Sequence, residues 1–374
     1  MFNTASRTRN LKLARWFVPV LLLMLMLLPL AQLAGCAGPS YYMQAVSGHF
    51  SLIKNSEEIV QLLAQADIDP ELARELELAL EIRAFAVSRL GMPENDSYTR
   101  FVDTGREAVT WNVVAAPEFS LAPKKWCFLV SGCVPYRGYF KHDSAVQFSD
   151  SLARKGYDVT VSPAVAYSTL GWFDDPLLNT MLNYNDEQLA AFIFHELAHQ
   201  QLYIKGDTAF NEAYASFIEE TGVRLWLASS GMNDRLPDWL QLQRASMQFN
   251  RLLQEARSML EKEYASNHPE AVMKENKSAI FAGLREAYDE LVATQWNGRS
   301  IYASWFEREL NNAQLALISS YQGGACAFES LYQSADSNMM QFQALARDRA
   351  KLSKEQRSAW LNQPCEVIAS GPEL

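Results

Sequence analysis

The spacing of apolar positions changes character along the chain, and each change marks a different kind of element. Residues 16–30 are almost continuously apolar and rich in Leu and Met. Further on, Ile59, Leu63 and Ala66, then Leu72, Leu76, Leu78, Ile82, Phe85 and Leu90, recur mostly at three- and four-residue steps. That period predicts helices over 42–66 and 70–90, the second stopped by Gly91-Met92-Pro93. Between 98 and 169 the texture turns to short β-branched and aromatic runs broken by Gly and Pro. Residues 109–115, 127–130, 134–140 and 159–165 read as strands, with a short helix at 144–154. Past residue 240 the helical period returns. Phe249, Leu252, Leu253, Ala256, Met259 and Leu260 form one stripe, and Ile280, Phe281, Leu284, Ala287, Tyr288 and Leu291 another. A further helix from 311 runs into Gly323-Gly324 and could close one wall of a cleft. The sequence shows no internal repeat and no low-complexity linker.

One helical stretch carries chemistry. Leu189, Phe192, Ile193, Leu197 and Ala198 give an apolar face, Asn185 with Gln188 predicts a capping box, and Gly206 a C-terminal stop. Within it stands His195-Glu196-Leu197-Ala198-His199. Residues four apart on a helix share a face, so both imidazoles can reach one cation. Glu196, one step round, can take a proton from an attacking water without ligating the metal. Three polar side chains in an apolar helix are costly to bury, and a metal compensates them.

A catalytic zinc usually has three protein ligands and an open position. The remaining histidines, His49, His142 and His268, are far off in sequence. The third ligand is therefore expected to be a carboxylate on a second helix starting near Asp207 or Thr208, and Glu212, Glu219 and Glu220 are the candidates. Two imidazoles and a carboxylate suit one Zn²⁺.

The run Asn211-Glu212-x-x-Ala215-Ser216-x-x-Glu219 resembles the second half of the zinc site in gluzincin aminopeptidases. The resemblance implies that Glu212 is the third ligand and that Glu219 supports a ligating histidine. Twelve residues separate His199 from Glu212, fewer than in typical members. Glu219 stands at the thermolysin-like interval and is the rival ligand. The whole chain resembles a bacterial family described as predicted aminopeptidase lipoproteins, with shared stretches at 126–140, 166–176 and the two metal helices. The resemblance implies an α+β fold: a zincin-like metallopeptidase core with a small β-sheet, and predominantly helical N- and C-terminal parts. In such a core the strand before the metal helix lies at the cleft edge and can take substrate backbone as an added strand. Residues 163–170 are the candidate, although Tyr167 and Trp172 read equally as core aromatics. The Gly-Ala-Met-Glu-Asn signature of the aminopeptidases is absent.

The N-terminus changes the picture of where such chemistry happens. Arg7, Arg9, Lys12 and Arg15 precede the apolar run at 16–30, which ends in Leu33-Ala34-Gly35-Cys36. That pattern predicts a lipoprotein signal peptide over 1–35 and lipidation of Cys36. The rival reading is a plain membrane anchor. Acyl chains at about 0.8 kcal/mol per buried CH₂ would tether the protein effectively permanently. By resemblance to Gram-negative lipoproteins, Ala37 after the cysteine permits outer-membrane placement, facing the periplasm.

Loss of those four basic residues takes the formal charge from −10 to −14, which argues against a nucleic-acid partner. In an oxidising compartment Cys127, Cys133, Cys326 and Cys365 predict two disulfides, with 127–133 and 326–365 favoured. The expected organisation is a helical segment at 36–95, a catalytic unit at 96–230, and a helical region at 231–374 packed on it.

The function these readings support is a zinc-dependent peptidase of the bacterial envelope, expected to be an aminopeptidase. An envelope endopeptidase, and a lipid-anchored binding or chaperone-like protein that keeps zinc for structure, are the alternatives. Tyr136, Tyr139, Tyr321, Arg137 and His142 are candidate oxyanion donors. Glu107, Glu118, Asp143, Asp174 and Asp175 are candidate holders of a substrate amine.

Overall fold

A computed structural model describes residues 39–128, 132–166, 174–318 and 324–363. In chain order the elements begin with α1 (Pro39–Lys54), β1 (Glu57–Glu58), α2 (Ile59–Leu63) and α3 (Pro70–Leu90). Then come β2 (Arg100–Val102), β3 (Thr110–Pro117), β4 (Trp126–Phe128), β5 (Gly132–Val134), β6 (Arg137–Tyr139) and α4 (His142–Ala153). Strands β7 (Tyr157–Ala164) and β8 (Leu177–Leu178) lead to α5 (Asp186–Gln201) and α6 (Thr208–Ser229). Helices α7 (Leu236–Tyr264), α8 (Glu270–Thr294), α9 (Asn312–Leu315), α10 (Gly324–Ser334), α11 (Met339–Ala350) and α12 (Lys354–Leu361) complete it. The fold is α+β, mainly helical with small sheets. Among the described residues no helix is long and apolar enough to cross a membrane.

The main core gathers α3, α5, α6 and the C-terminal helices, with Phe194, Phe210, Tyr214, Trp226, Phe328 and Phe342 fully buried. Gly222 marks how closely the helices approach. A Cβ there would lie 2.7 Å from Phe194 and 2.8 Å from Leu90. The sheet β6-β3-β7 is antiparallel and presses Val113, Ala115 and Tyr139 against Ala145 and Leu152 of α4. Its other face sets Val114 and Ala116 against Ala313 and Ala316. Helices α7 and α8 form a second core around Phe249, Leu253, Tyr288 and Trp296.

Several elements depart from the local pattern. The helix expected over 42–66 is broken at Asn55-Ser56, where both side chains bond back to the preceding turn. Such residues compete with helical hydrogen bonding. The next two residues become β1 and pair with β2, where Arg100 holds Ser56 and Glu58. The strand expected over 134–140 is divided, with β5 ending at Val134 and β6 starting at Arg137. Helix α5 stops at Leu202, which is extended, four residues before Gly206. Gly206 serves the following turn instead, with φ +80°.

Strand β7 is an edge strand, yet part of its free edge is covered. Asn311 Nδ2 donates to the Val159 carbonyl at 3.0 Å, the Arg308 guanidinium donates to that of Val161, and the Asn312 amide donates to Asp158 Oδ2 at 2.9 Å. Pro163 and Ala164 pair with β3, while residues 167–173, including Tyr167 and Trp172, lie outside the described part. The helix expected from 311 is a single turn, α9, and 319–323 likewise lie outside.

Cys127 and Cys133 form a disulfide across the β4–β5 hairpin. Cys326 is also disulfide-bonded. Its favoured partner, Cys365, and the signal segment with Cys36 lie outside the described residues.

Candidate metal centre

Helix α5 starts where the sequence places it. Asn185 Oδ1 accepts from the Gln188 amide at 2.9 Å, and the Gln188 side chain accepts from the Asn185 amide. Asp186 and Glu187 sit in the first turn, complementing the helix dipole, and Arg235 pairs with both. His195 and Glu196 therefore lie inside a regular helix and His199 in its last turn, with Leu197 and Ala198 fixed in the core.

The connection to α6 is short and rigid. Asn211, buried, accepts from the Ile204 amide at 2.8 Å and donates to its carbonyl at 2.9 Å. Asp207 caps α6 by accepting from the Phe210 amide, and its other oxygen accepts from Arg357 Nε at 2.7 Å. Both partners of that ion pair are buried. The chain is thus folded back so that the first turn of α6 faces the last turns of α5.

Glu212 is carried to the two imidazoles by this turn. Its carboxylate oxygens lie 3.5 Å from His195 Nε2 and 3.6 Å from His199 Nε2. The two Nε2 atoms are 3.1 Å apart. Two ligands about 2.05 Å from one tetrahedral ion are separated by about 3.3 Å, so the donor set fits a zinc ion. His195, His199 and Glu212 are the group of potential ligands found among the described residues, with donor atoms within 4.8 Å of one another. The Glu212 side chain is 54% exposed, so the cluster opens to solvent on that side.

Glu219, two turns further along α6, is outside that group of three. Its Oε2 accepts from His195 Nδ1 at 2.9 Å. That bond fixes the ring and, once His195 is neutral, keeps the proton on Nδ1 and leaves the Nε2 lone pair for the shared volume. Glu220 lies outside the ligand group. Burial raises its pKa against Arg224, with Glu329 and Glu219 adding to the rise. The Nδ1 of His199 is buried and has no hydrogen-bond partner among the described residues.

Electrostatics separate the two imidazoles. Burial works to lower the His195 pKa, but hydrogen bonds to Glu212 and Glu219 outweigh it and raise it to about 10. His199 moves the other way, to about 4, through burial and then the neighbouring positive His195. Burial would raise Glu212, yet the two histidines keep its carboxyl below its ordinary range.

The candidate oxyanion donors are scattered. Arg137 is occupied by ring faces, 4.1 Å over Tyr41 and 4.5 Å over Phe148. Tyr139 is buried beneath α4, and His142 packs 4.3 Å from Trp111. Tyr321 lies outside the described residues. Tyr136 is 40% exposed, and burial of its hydroxyl, then Tyr203, raise its pKa; the aromatic ring beside the cluster is Tyr203, 6.4 Å from that of His199. Of the candidate amine holders, Glu118 pairs with Lys274, Asp174 accepts from the Asp96 amide, Glu107 and Asp143 are exposed, and Asp175 is buried.

One residue near the site escaped the sequence reading. Tyr98 is buried with φ +61°, a left-handed conformation rare for an aromatic residue. Its amide donates to the Asp175 carbonyl at 2.7 Å, and neighbouring Ser97 is bonded to Gln200 of α5. Burial, then the charges of Glu196 and Asp175, push its phenol pKa well up. The only sequence signal was Asn95-Asp96-Ser97 ahead of it, a turn-forming run.

A family model described as "Putative aminopeptidase" matches residues 40–361. No curated protein and no solved structure matches the chain.

Proposed function

We propose that the chain, which belongs to the family described as "Putative aminopeptidase", is a zinc-dependent peptidase with a zincin-like core, tethered in the bacterial envelope. The observation that carries this reading is the convergence of His195, His199 and Glu212 within 4.8 Å at a solvent-open edge. A structural zinc site is closed by four protein ligands, whereas a catalytic one keeps a position open. Three donors with an exposed side favour the catalytic version.

His195, His199 and Glu212 would hold the ion, and Glu219 would fix the His195 ring. When bound, zinc supplies Lewis acidity that makes water a competent nucleophile near neutral pH. Glu196 is the general base: its carboxylate accepts the proton released as water attacks the scissile carbonyl. It then returns that proton to the departing amine. A donor for the developing oxyanion, a role in which a preorganised group lowers the barrier, would complete the site; Tyr136 is one of the sequence candidates for it. Cys36 would carry the lipid that holds the enzyme at the membrane, outer membrane by preference, with peptides in the periplasm as substrates.

The test is metal analysis of the mature protein together with a peptide-library digest read by mass spectrometry. The account predicts one zinc per chain and N-terminal trimming. Internal cuts would make it an endopeptidase, and no cuts with bound zinc would leave a non-catalytic protein holding a structural metal.

A further inference from the structure

Helix α1 has two faces of opposite character. Its inner face is locked to the sheet. Tyr41 stacks on Phe128 at 5.3 Å, and Gln44 accepts from the Phe140 amide at 3.0 Å and donates to the Gly138 carbonyl at 3.4 Å. Gly48 lies against the Phe140 ring, and Leu52 joins the main core. The opposite face carries Met43, Val46 and Ile53, which are 75%, 53% and 41% exposed, with Phe50 between them at 64%. At 100° per residue these positions fall within an arc of about 80°. Isolated exposed apolar residues need no explanation, but an aligned stripe of large ones marks an interaction surface.

The position of this stripe says what covers it. Pro39, the first residue of α1, follows Cys36 by three positions. Three residues reach at most roughly 11 Å when fully extended. A lipid on Cys36 would therefore hold the start of α1 within roughly 11 Å of the point where that residue meets the bilayer. An amphipathic helix lying in that plane buries its apolar face about 5–10 Å into the headgroup and acyl boundary. The α1 sequence contains no Asp or Glu and a single Lys at its end, so no acidic group opposes insertion.

We infer that the Met43, Val46 and Ile53 face of α1 lies in the bilayer interface as a second membrane contact beside the lipid. The inference rests on the reading of Cys36 as the lipidated residue. Its consequence is orientational. Because the inner face of α1 is fixed to β6 and the core, a helix lying flat on the membrane sets the attitude of the whole body, including the metal centre. A lipid alone would leave the body free to swing.

The test uses the mature lipoprotein in vesicles of phosphatidylethanolamine and phosphatidylcholine, with its acyl chains confirmed by intact mass. Spin labels are placed one at a time by Met43→Cys, Val46→Cys and Ile53→Cys, with Lys262→Cys as a reference on α7. Collision with oxygen, which concentrates in the acyl region, is compared with collision with a water-soluble nickel chelate. The expected result is a shift toward oxygen at all three α1 positions and toward nickel at 262. Adding Val46→Glu and Ile53→Glu should abolish the shift at 43 while the lipid keeps the protein on the vesicles. Solvent-like readings at all three positions, in protein that carries its acyl chains, would overturn the inference and leave the anchor standing. Labels shielded from both reagents would identify a protein partner instead, and dipolar broadening a second copy; either overturns it. Protein with no acyl chains would remove the anchor and the inference together.

Discussion

Glu196, Glu212 and Glu219 are chemically alike, and the proposed mechanism divides their work by position alone. Under the proposed mechanism, Glu196→Gln removes the proton acceptor but no ligand. It should retain zinc and lower the hydrolytic rate by about 10²–10⁴-fold, read by peptide turnover alongside metal content. Glu212→Ala should lose the ion, whereas Glu219→Ala, which only unties the His195 ring, should keep most of it with affinity about 10–100-fold weaker. Equilibrium dialysis separates the two, and the reverse ranking would exchange their roles. In the metal-free protein His195, raised to about 10, holds a proton at neutral pH, while His199, lowered to about 4, does not. Zinc must displace that one proton, so apparent affinity should climb with pH, about tenfold per unit through the neutral range. Calorimetry in buffers of different protonation heat should report close to one proton released per ion at pH 7; no release would contradict the assignment. The common face of His195 and His199 was legible because four-residue spacing on a helix is local information. Tyr98 was not, because its left-handed backbone is held by a hydrogen bond to Asp175, far along the chain.

Among the elements, α5 and α6 position the candidate site, and their contact depends on a missing side chain. Gly222→Ala would force a methyl group against Phe194 and Leu90. Overpacking of this kind costs about 1–3 kcal/mol, so the denaturation midpoint should fall with the slope unchanged. An unchanged midpoint would mean that α3, α5 and α6 are less tightly engaged than the geometry shows. Helices with strong caps were read well: the capping box at Asn185 starts α5, and Pro70 with Gly91 brackets α3. Where an element depends on distant partners, the local sequence carries no sign of it. The apolar period through 42–66 carried no sign that Glu57 and Glu58 would pair with β2. Nor did it show that Asn211 would end α5 early by binding Ile204 and turning the chain.

Across the described residues, segments near both ends are built into the surroundings of the candidate site. The segment before β2 joins a sheet that continues to β8, just ahead of α5. At the other end, Arg357 of α12 reaches Asp207, the cap of α6. Arg357→Ala would leave that buried carboxylate unpaired, a loss of about 3–5 kcal/mol. It should also loosen the turn that brings Glu212 to the histidines, so zinc affinity and thermal midpoint should fall together; a fall in neither would show that the C-terminal helices do not support the site. None of this is visible in composition or periodicity, since an ion pair 150 residues apart and sheet partners as distant as Glu57 with Phe101 and Phe101 with Leu177 leave no local trace.

The central claim is that one divalent ion is held by two imidazoles and one carboxylate with a position left for solvent. X-ray absorption at the zinc edge of the purified mature protein tests it directly. The account predicts two histidine nitrogens at about 2.0–2.1 Å with the remaining first-sphere scatterers all oxygen. A spectrum requiring sulfur or a third histidine, or a protein that takes up no zinc, would contradict it.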